Sequence, residues 1–146
     1  MNLFGVLTIT GTALLAERER AEVVASNLAN AETTRTPQGG PYQREHVIFA
    51  ARRPWVLPFG QQLATMVDFN ARGVQVEGVI GDPTPPIRRY DPGHPDADAQ
   101  GYVSSPAINP IEEEVNLMGA ARSYQANISA AMATKNMIVS TLDLLS

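Results

Sequence analysis

The chain has 146 residues, one domain's worth, long enough to bury a core of ordinary size. Charged residues make up 18% of it and the formal net charge is −4, so it has no electrostatic reason to hold nucleic acid or an anionic membrane. It has no cysteine, which excludes disulfides and thiolate metal sites, and no run of about 20 apolar residues that could insert directly into a membrane.

Proline is sorted along the chain. All 11 prolines fall between Pro37 and Pro110. Because a proline costs about 3 kcal/mol inside a helix, this sorting predicts two long terminal helices around a looped, extended middle. In the first helix Leu7, Leu14, Ala21 and Leu28 repeat at a heptad, Leu3 and Val24 fill alternate positions, and Glu17, Arg18, Glu19, Arg20 and Glu22 make the opposing face polar. Residues 3–29 would span roughly 40 Å at about 1.5 Å per residue. The stretch also lacks a basic n-region and is broken at Gly5 and Thr8, so no cleavable secretory signal is expected.

The helical pattern gives out in SNLANAETTRTP, residues 26–37. Asparagine is a mediocre helix former, because its side chain competes for backbone hydrogen bonds. Ser26, Asn27, Asn30, Thr33 and Thr34 therefore read as a helix-end motif. The asparagines are expected to stop the helix, to tolerate a left-handed backbone there, and to satisfy backbone groups that would otherwise be buried unpaired.

Residues 41–51 read as a strand, and so do residues 73–80, where Val74, Val76 and Ile80 alternate with polar positions. Between them, residues 54–70 fit no assignable pattern, and Trp55 reads as ordinary packing rather than a partner anchor. GDPTPP, YDPGHPDAD and SSPAINP follow, so rich in Pro, Gly and Asp that only turns and extended arms are expected. The last helix is well punctuated: Asn109 as N-cap, Pro110 at the first helical position, and Glu112 completing a capping box. Leu117, Ala121, Tyr124, Ile128, Ala131, Ile138, Leu142 and Leu145 then keep a 3-4 spacing interrupted at Lys135, and Met118, Met132 and Val139 form a second apolar row.

Chemistry is sparse. Asp91, His94, Asp96 and Asp98 offer three carboxylates and an imidazole within eight residues, a set that could hold a metal for an enzyme. A proline-stiffened loop with turn-capping aspartates is preferred, because His46 is the only other histidine and no apolar cleft sequence converges there. No nucleophile elbow, phosphate loop or dinucleotide fingerprint is present, so no catalytic residue and no cofactor is expected. Asn127 opens an NIS acceptor triplet, but in mid-helix.

ERERAEVVASNLANAETTRT, YDPGHPDADAQGYV and NPIEEEVNLMGAARSYQANISAA together resemble the flagellar basal-body rod family of axial proteins, and within it the proximal-rod subunits. Glu114 departs from the apolar residue usual after the first two glutamates. The resemblance implies a non-enzymatic structural subunit that leaves the cytoplasm through the flagellar type III export apparatus. It would assemble in the periplasm with copies of itself, with other proximal and distal rod proteins, and with a rod-base adaptor at the inner-membrane ring. Another rod or hook component, or a self-contained binding module, is the alternative. The expected architecture is α+β. Residues 1–31 and 109–146 form a discontinuous helical core, paired as an antiparallel coiled coil, and residues 32–108 form a β-rich middle module. The seam would set Leu7, Leu14, Ala21 and Leu28 against Leu117, Ala121, Tyr124, Ile128, Ile138 and Leu142.

Overall fold

In the computed structural model, residues 3–52 and 73–144 are described. Trp55 and the unassigned stretch 54–70 lie outside them. Six elements follow in order: α1 (Leu3–Ala29), β1 (Glu45–Ala51), β2 (Val74–Gly81), β3 (Ile87–Tyr90), β4 (Tyr102–Ser105) and α2 (Pro110–Asp143). The class is α+β, two long helices packed on each other with a small two-sheet middle.

The chain divides into two compact units, one of Met1–Glu19, Phe49–Glu77 and Ala120–Ser146, the other of Arg20–Ile48 and Gly78–Gly119. Each unit holds the beginning of one long helix and the end of the other, so the helices pair antiparallel. Proline's absence permits both helices, and Asn109 starts the second: its side-chain oxygen accepts the Ile111 N–H at 3.1 Å, one of the four donors a helix start leaves unpaired. No helix among the described residues is long and apolar enough to cross a membrane.

β1 and β2 form one two-stranded sheet. Arg52 N–H donates to Gly73 O at one end and Asp82 N–H to Arg44 O at the other, both at 2.7 Å, so the strands run in opposite directions. Along β2, Val74, Val76 and Gly78 are half-buried and Gln75, Glu77 and Val79 exposed, the alternation a one-sided strand requires. Gly73 is buried against α1: Thr12 Oγ1 accepts the next N–H, that of Val74, at 3.1 Å, and a Cβ on residue 73 would collide with that hydroxyl.

The stretch expected to hold only turns and arms contains a hairpin. β3 and β4 pair antiparallel, with Ile87 opposite Ser105 and Tyr90 opposite Tyr102. These four-residue strands occupy the proline-free gaps between the turn-rich segments, where composition did not announce them. Asp98 closes their turn: its Oδ1 accepts the N–H groups of Gln100 and Tyr102 at 2.8 and 2.9 Å. Gly101, at φ +82°, supplies a conformation that other residues rarely adopt. Val103 faces inward, buried, while Arg88, Tyr90 and Tyr102 share the outer face, the two tyrosine rings edge to face at 5.3 Å.

Candidate assembly site

The helix-end motif splits its work between the two asparagines. Asn30 ends the helix locally: its Nδ2 donates to Ser26 O at 2.9 Å and its Oδ1 accepts from the Thr33 hydroxyl at 3.1 Å. Its backbone is not left-handed, since among the described residues only glycines have positive φ. The side chain, rather than a reversed backbone, ends α1 there.

Asn27 stops nothing. It lies within α1, is 1% exposed, and turns its amide away from its own helix. Nδ2 donates to Glu45 O at 2.8 Å while Oδ1 accepts Glu45 N–H at 2.9 Å, so one carboxamide binds both backbone groups of the first residue of β1. Oδ1 also accepts from the Tyr42 hydroxyl at 3.1 Å, and Tyr42 in turn lies 3.3 Å from Ser26 Oγ. The remaining donor of Nδ2 points to Glu113 Oε2 at 3.3 Å. Asparagine suits this place because it alone of the short side chains carries both a double acceptor and a double donor.

Glu113 and Arg44 complete the node. Glu113 is 1% exposed and forms an ion pair with Arg44, whose guanidinium also approaches Glu112 at 3.4 Å. A buried carboxylate is tolerable only when paired and hydrogen-bonded, and here Arg44, Asn27 and Asn116 surround it. Glu112, expected to reach back to the N-cap, instead has its carboxylate toward Arg44.

Along the helices the buried positions are Gly5, Thr10, Ala16, Val24 and Asn27 on α1 and Glu113, Ala120 and Thr134 on α2. Of the expected seam, Leu7, Leu14, Ala21, Leu28, Leu117, Ile128 and Ile138 are half-buried, while Ala121, Tyr124 and Leu142 are exposed. Most of the buried positions are thus small or polar. The two threonines satisfy themselves within their helices, Thr10 on Val6 O at 3.0 Å and Thr134 on Ala130 O at 2.9 Å. Large apolar side chains are left outside, among them Phe4, Leu15, Ile111, Val115, Met118, Met132 and Leu142.

The 91–101 loop uses its polar groups on itself and on its neighbours. His94 Nδ1 accepts Asp96 N–H at 3.1 Å, Asp96 Oδ2 accepts from the Thr34 hydroxyl at 2.7 Å, and Asp98 Oδ2 accepts from Arg88 at 2.7 Å. The bond from Tyr102 N–H, with those from Gln100 and Arg88, holds the Asp98 carboxyl below its ordinary range. Among the described residues no group of three His, Cys, Asp or Glu side chains is placed to hold a metal. Just past β2, Asp82 is lowered from the ordinary 3.8 to about 2, first by the Thr84 hydroxyl and N–H and then by His46, 3.1 Å away.

Sequence reading missed Glu113, Arg44 and Tyr42. Glu113 had a signal, since with Ala120, Asn127 and Thr134 it forms a heptad row, but none of these is a large apolar residue. Arg44 and Tyr42 had none.

Two family models match the chain. The one described as flagella basal body rod protein covers residues 7–35, and the C-terminal model of the flagellar basal body rod FlgEFG protein covers residues 99–144. The chain is 39% identical over 153 residues to the flagellar basal-body rod protein FlgC of Borreliella burgdorferi, covering 99% of each. It is 40% identical over 144 residues to that of Salmonella typhimurium (99% of this chain, 98% of the relative), and 35% identical over 155 to that of Bacillus subtilis (99% of each).

Proposed function

The chain belongs to the FlgC family of flagellar basal-body rod proteins, and on that premise we propose that it is a structural, non-catalytic subunit of the proximal rod. The observation that carries the reading is coverage: the identity is not confined to the terminal helices but runs through the β middle, over 99% of the chain.

The helix pair supports it physically. Among the described residues the buried apolar ones are few and small, while long apolar side chains on both helices stay exposed, as on a surface that other proteins cover. Residues 1–31 and 109–146 would build the helical core with neighbouring subunits, and residues 32–108 would sit outside it. The seam row of Leu7, Leu14, Ala21 and Leu28 would face its counterpart on α2 or the next subunit. The neighbours are further copies, other proximal and distal rod proteins, and the adaptor at the inner-membrane ring. The subunit reaches the periplasm through the flagellar type III apparatus. Interlocked helices give a torque-bearing shaft its stiffness through many small contacts rather than one strong one.

Deleting the gene in its own host tests this. Basal bodies arrested at the inner-membrane ring, and motility regained with a plasmid copy, are expected. A motile deletion strain would overturn the reading.

A further inference from the structure

The 91–101 loop belongs to neither long helix, yet its Asp96 reaches a residue 62 positions earlier, in the tract that follows α1. We propose that Asp96 is a clasp, and that the loop's work is to fix the direction in which the chain leaves α1. The proposal rests on the rod-subunit reading only for its consequence in assembly.

Both sides are built for the contact. On the loop side, His94 N–H donates to Asp91 O at 3.2 Å, Ala97 N–H to His94 O at 3.1 Å, and Asp96 N–H to the His94 ring. These bonds wind the loop into tight turns that hold the Asp96 carboxylate in place. The opposite side is an equally folded turn: Thr33 N–H donates to Asn30 O and Tyr42 N–H to Thr33 O, each at 3.0 Å, and Thr36 N–H to Gly40 O at 2.8 Å. Thr34 sits within that turn, half-buried, and its hydroxyl meets Asp96 Oδ2 at 2.7 Å, the length of a charge-assisted O–H···O⁻ bond. Arg35 also approaches Asp96, at 3.7 Å, but its side chain is 79% exposed, and exposed pairs contribute little. The Thr34 hydroxyl therefore decides the contact.

The exit it fixes carries consequences on either side. Upstream, Asn30 closes α1, and downstream the same turn delivers Tyr42 to Asn27 and Arg44 to Glu113. Freeing the turn would loosen the route by which the middle module is tied to the helices.

Amide exchange on the purified full-length chain tests the clasp. Asp96→Ala and the near-isosteric Thr34→Val should each speed exchange over residues 33–42 roughly three- to tenfold, the range of one net hydrogen bond. Thr34→Ser keeps the donor and should match the unaltered chain. The double variant should exchange no faster than either single one, because both remove the same bond. Asp98→Ala, which frees the β3–β4 turn, should leave residues 33–42 unchanged. Unchanged exchange in Thr34→Val, or effects that multiply in the double variant, would overturn the proposal. In cells, Asp96→Ala should lower the number of complete basal bodies. A motile gene-deletion strain would defeat the rod reading instead, while the exchange data would still judge the clasp.

Discussion

At Asn27 the chain needs one side chain to donate to a carbonyl and a carboxylate while accepting from an N–H and a hydroxyl. Asn27→Asp keeps the shape but sets an oxygen against Glu45 O and Glu113. A buried, unsatisfied polar group costs about 1–3 kcal/mol, more when charged, so the loss should be about 3 kcal/mol and should exceed that of Asn27→Ala. As the new carboxyl takes up a proton it regains a donor, so the gap between the two variants should narrow in acid. Urea unfolding of both at neutral and acid pH checks the order; equal losses at neutral pH would contradict it. Asp82 works with the opposite sign. Its folded value, about 2, lies below the ordinary 3.8, so the turn it holds is fully stabilised above about pH 4 and loosened as pH falls toward 2. Thr84→Val removes the hydroxyl that contributes most, and should raise the Asp82 titration midpoint toward the ordinary value. Carboxyl-carbon NMR would follow it, and an unmoved midpoint would mean that Thr84 is not the cause.

On the scale of elements, residue patterns with local causes were legible and those with distant causes were not. α1 spans Leu3–Ala29, the extent that apolar spacing and the asparagine-rich end predicted, and Asn109 caps α2 as its sequence announced. β3 and β4 escaped because Pro, Gly and Asp dominate their surroundings, whereas pairing comes from Asp98 and the strand opposite. The burial pattern along the two helices escaped for a different reason. Heptads of Leu mark where helices are apolar, but the heptad row of Glu113, Ala120, Asn127 and Thr134 holds no large apolar residue, and Glu113 is buried with Arg44, 69 residues earlier, to neutralise it. Burial and apolarity therefore separate on α2, which makes them separable by experiment. Ala120 is 1% exposed, so Ala120→Asp should cost several kcal/mol, on the order of a buried unpaired charge, and unfold the pair. Met132 is 62% exposed, so Met132→Asp should leave the free chain as stable as before, within about 0.5 kcal/mol, yet block rod assembly. Circular dichroism melts and basal-body counts read the two effects; an assembled rod carrying Met132→Asp would show that this row is solvent-facing there.

For the whole chain, the question is where enough stability comes from. The buried apolar residues described are Ala16, Val24, Val103 and Ala120, two of them alanines. With about 0.8 kcal/mol for each buried methylene, these four side chains by themselves offset little of the roughly 1–2 kcal/mol per residue that ordering two helices costs. Long helices gain most of their stability by packing, so covering the exposed stripes would stabilise both. The deficit is not even along the helices. Residues 20–29 and 110–119 are tied by a buried polar node of Asn27, Glu113 and Arg44, and the described residues of the other unit include Thr12 bonded to Val74 and the buried alanines Ala16 and Ala120. In dilute subunit, amide exchange should therefore be fast over residues 3–19 and 120–143 and slower over 20–29 and 110–119, with all four segments protected after incorporation into the rod. The gradient is the informative part: it means that the polar node keeps one end of each helix in register until a neighbour covers the rest. Uniform strong protection in the free chain would mean instead that the helices complete their own core, and that the exposed stripes are ornament rather than interface.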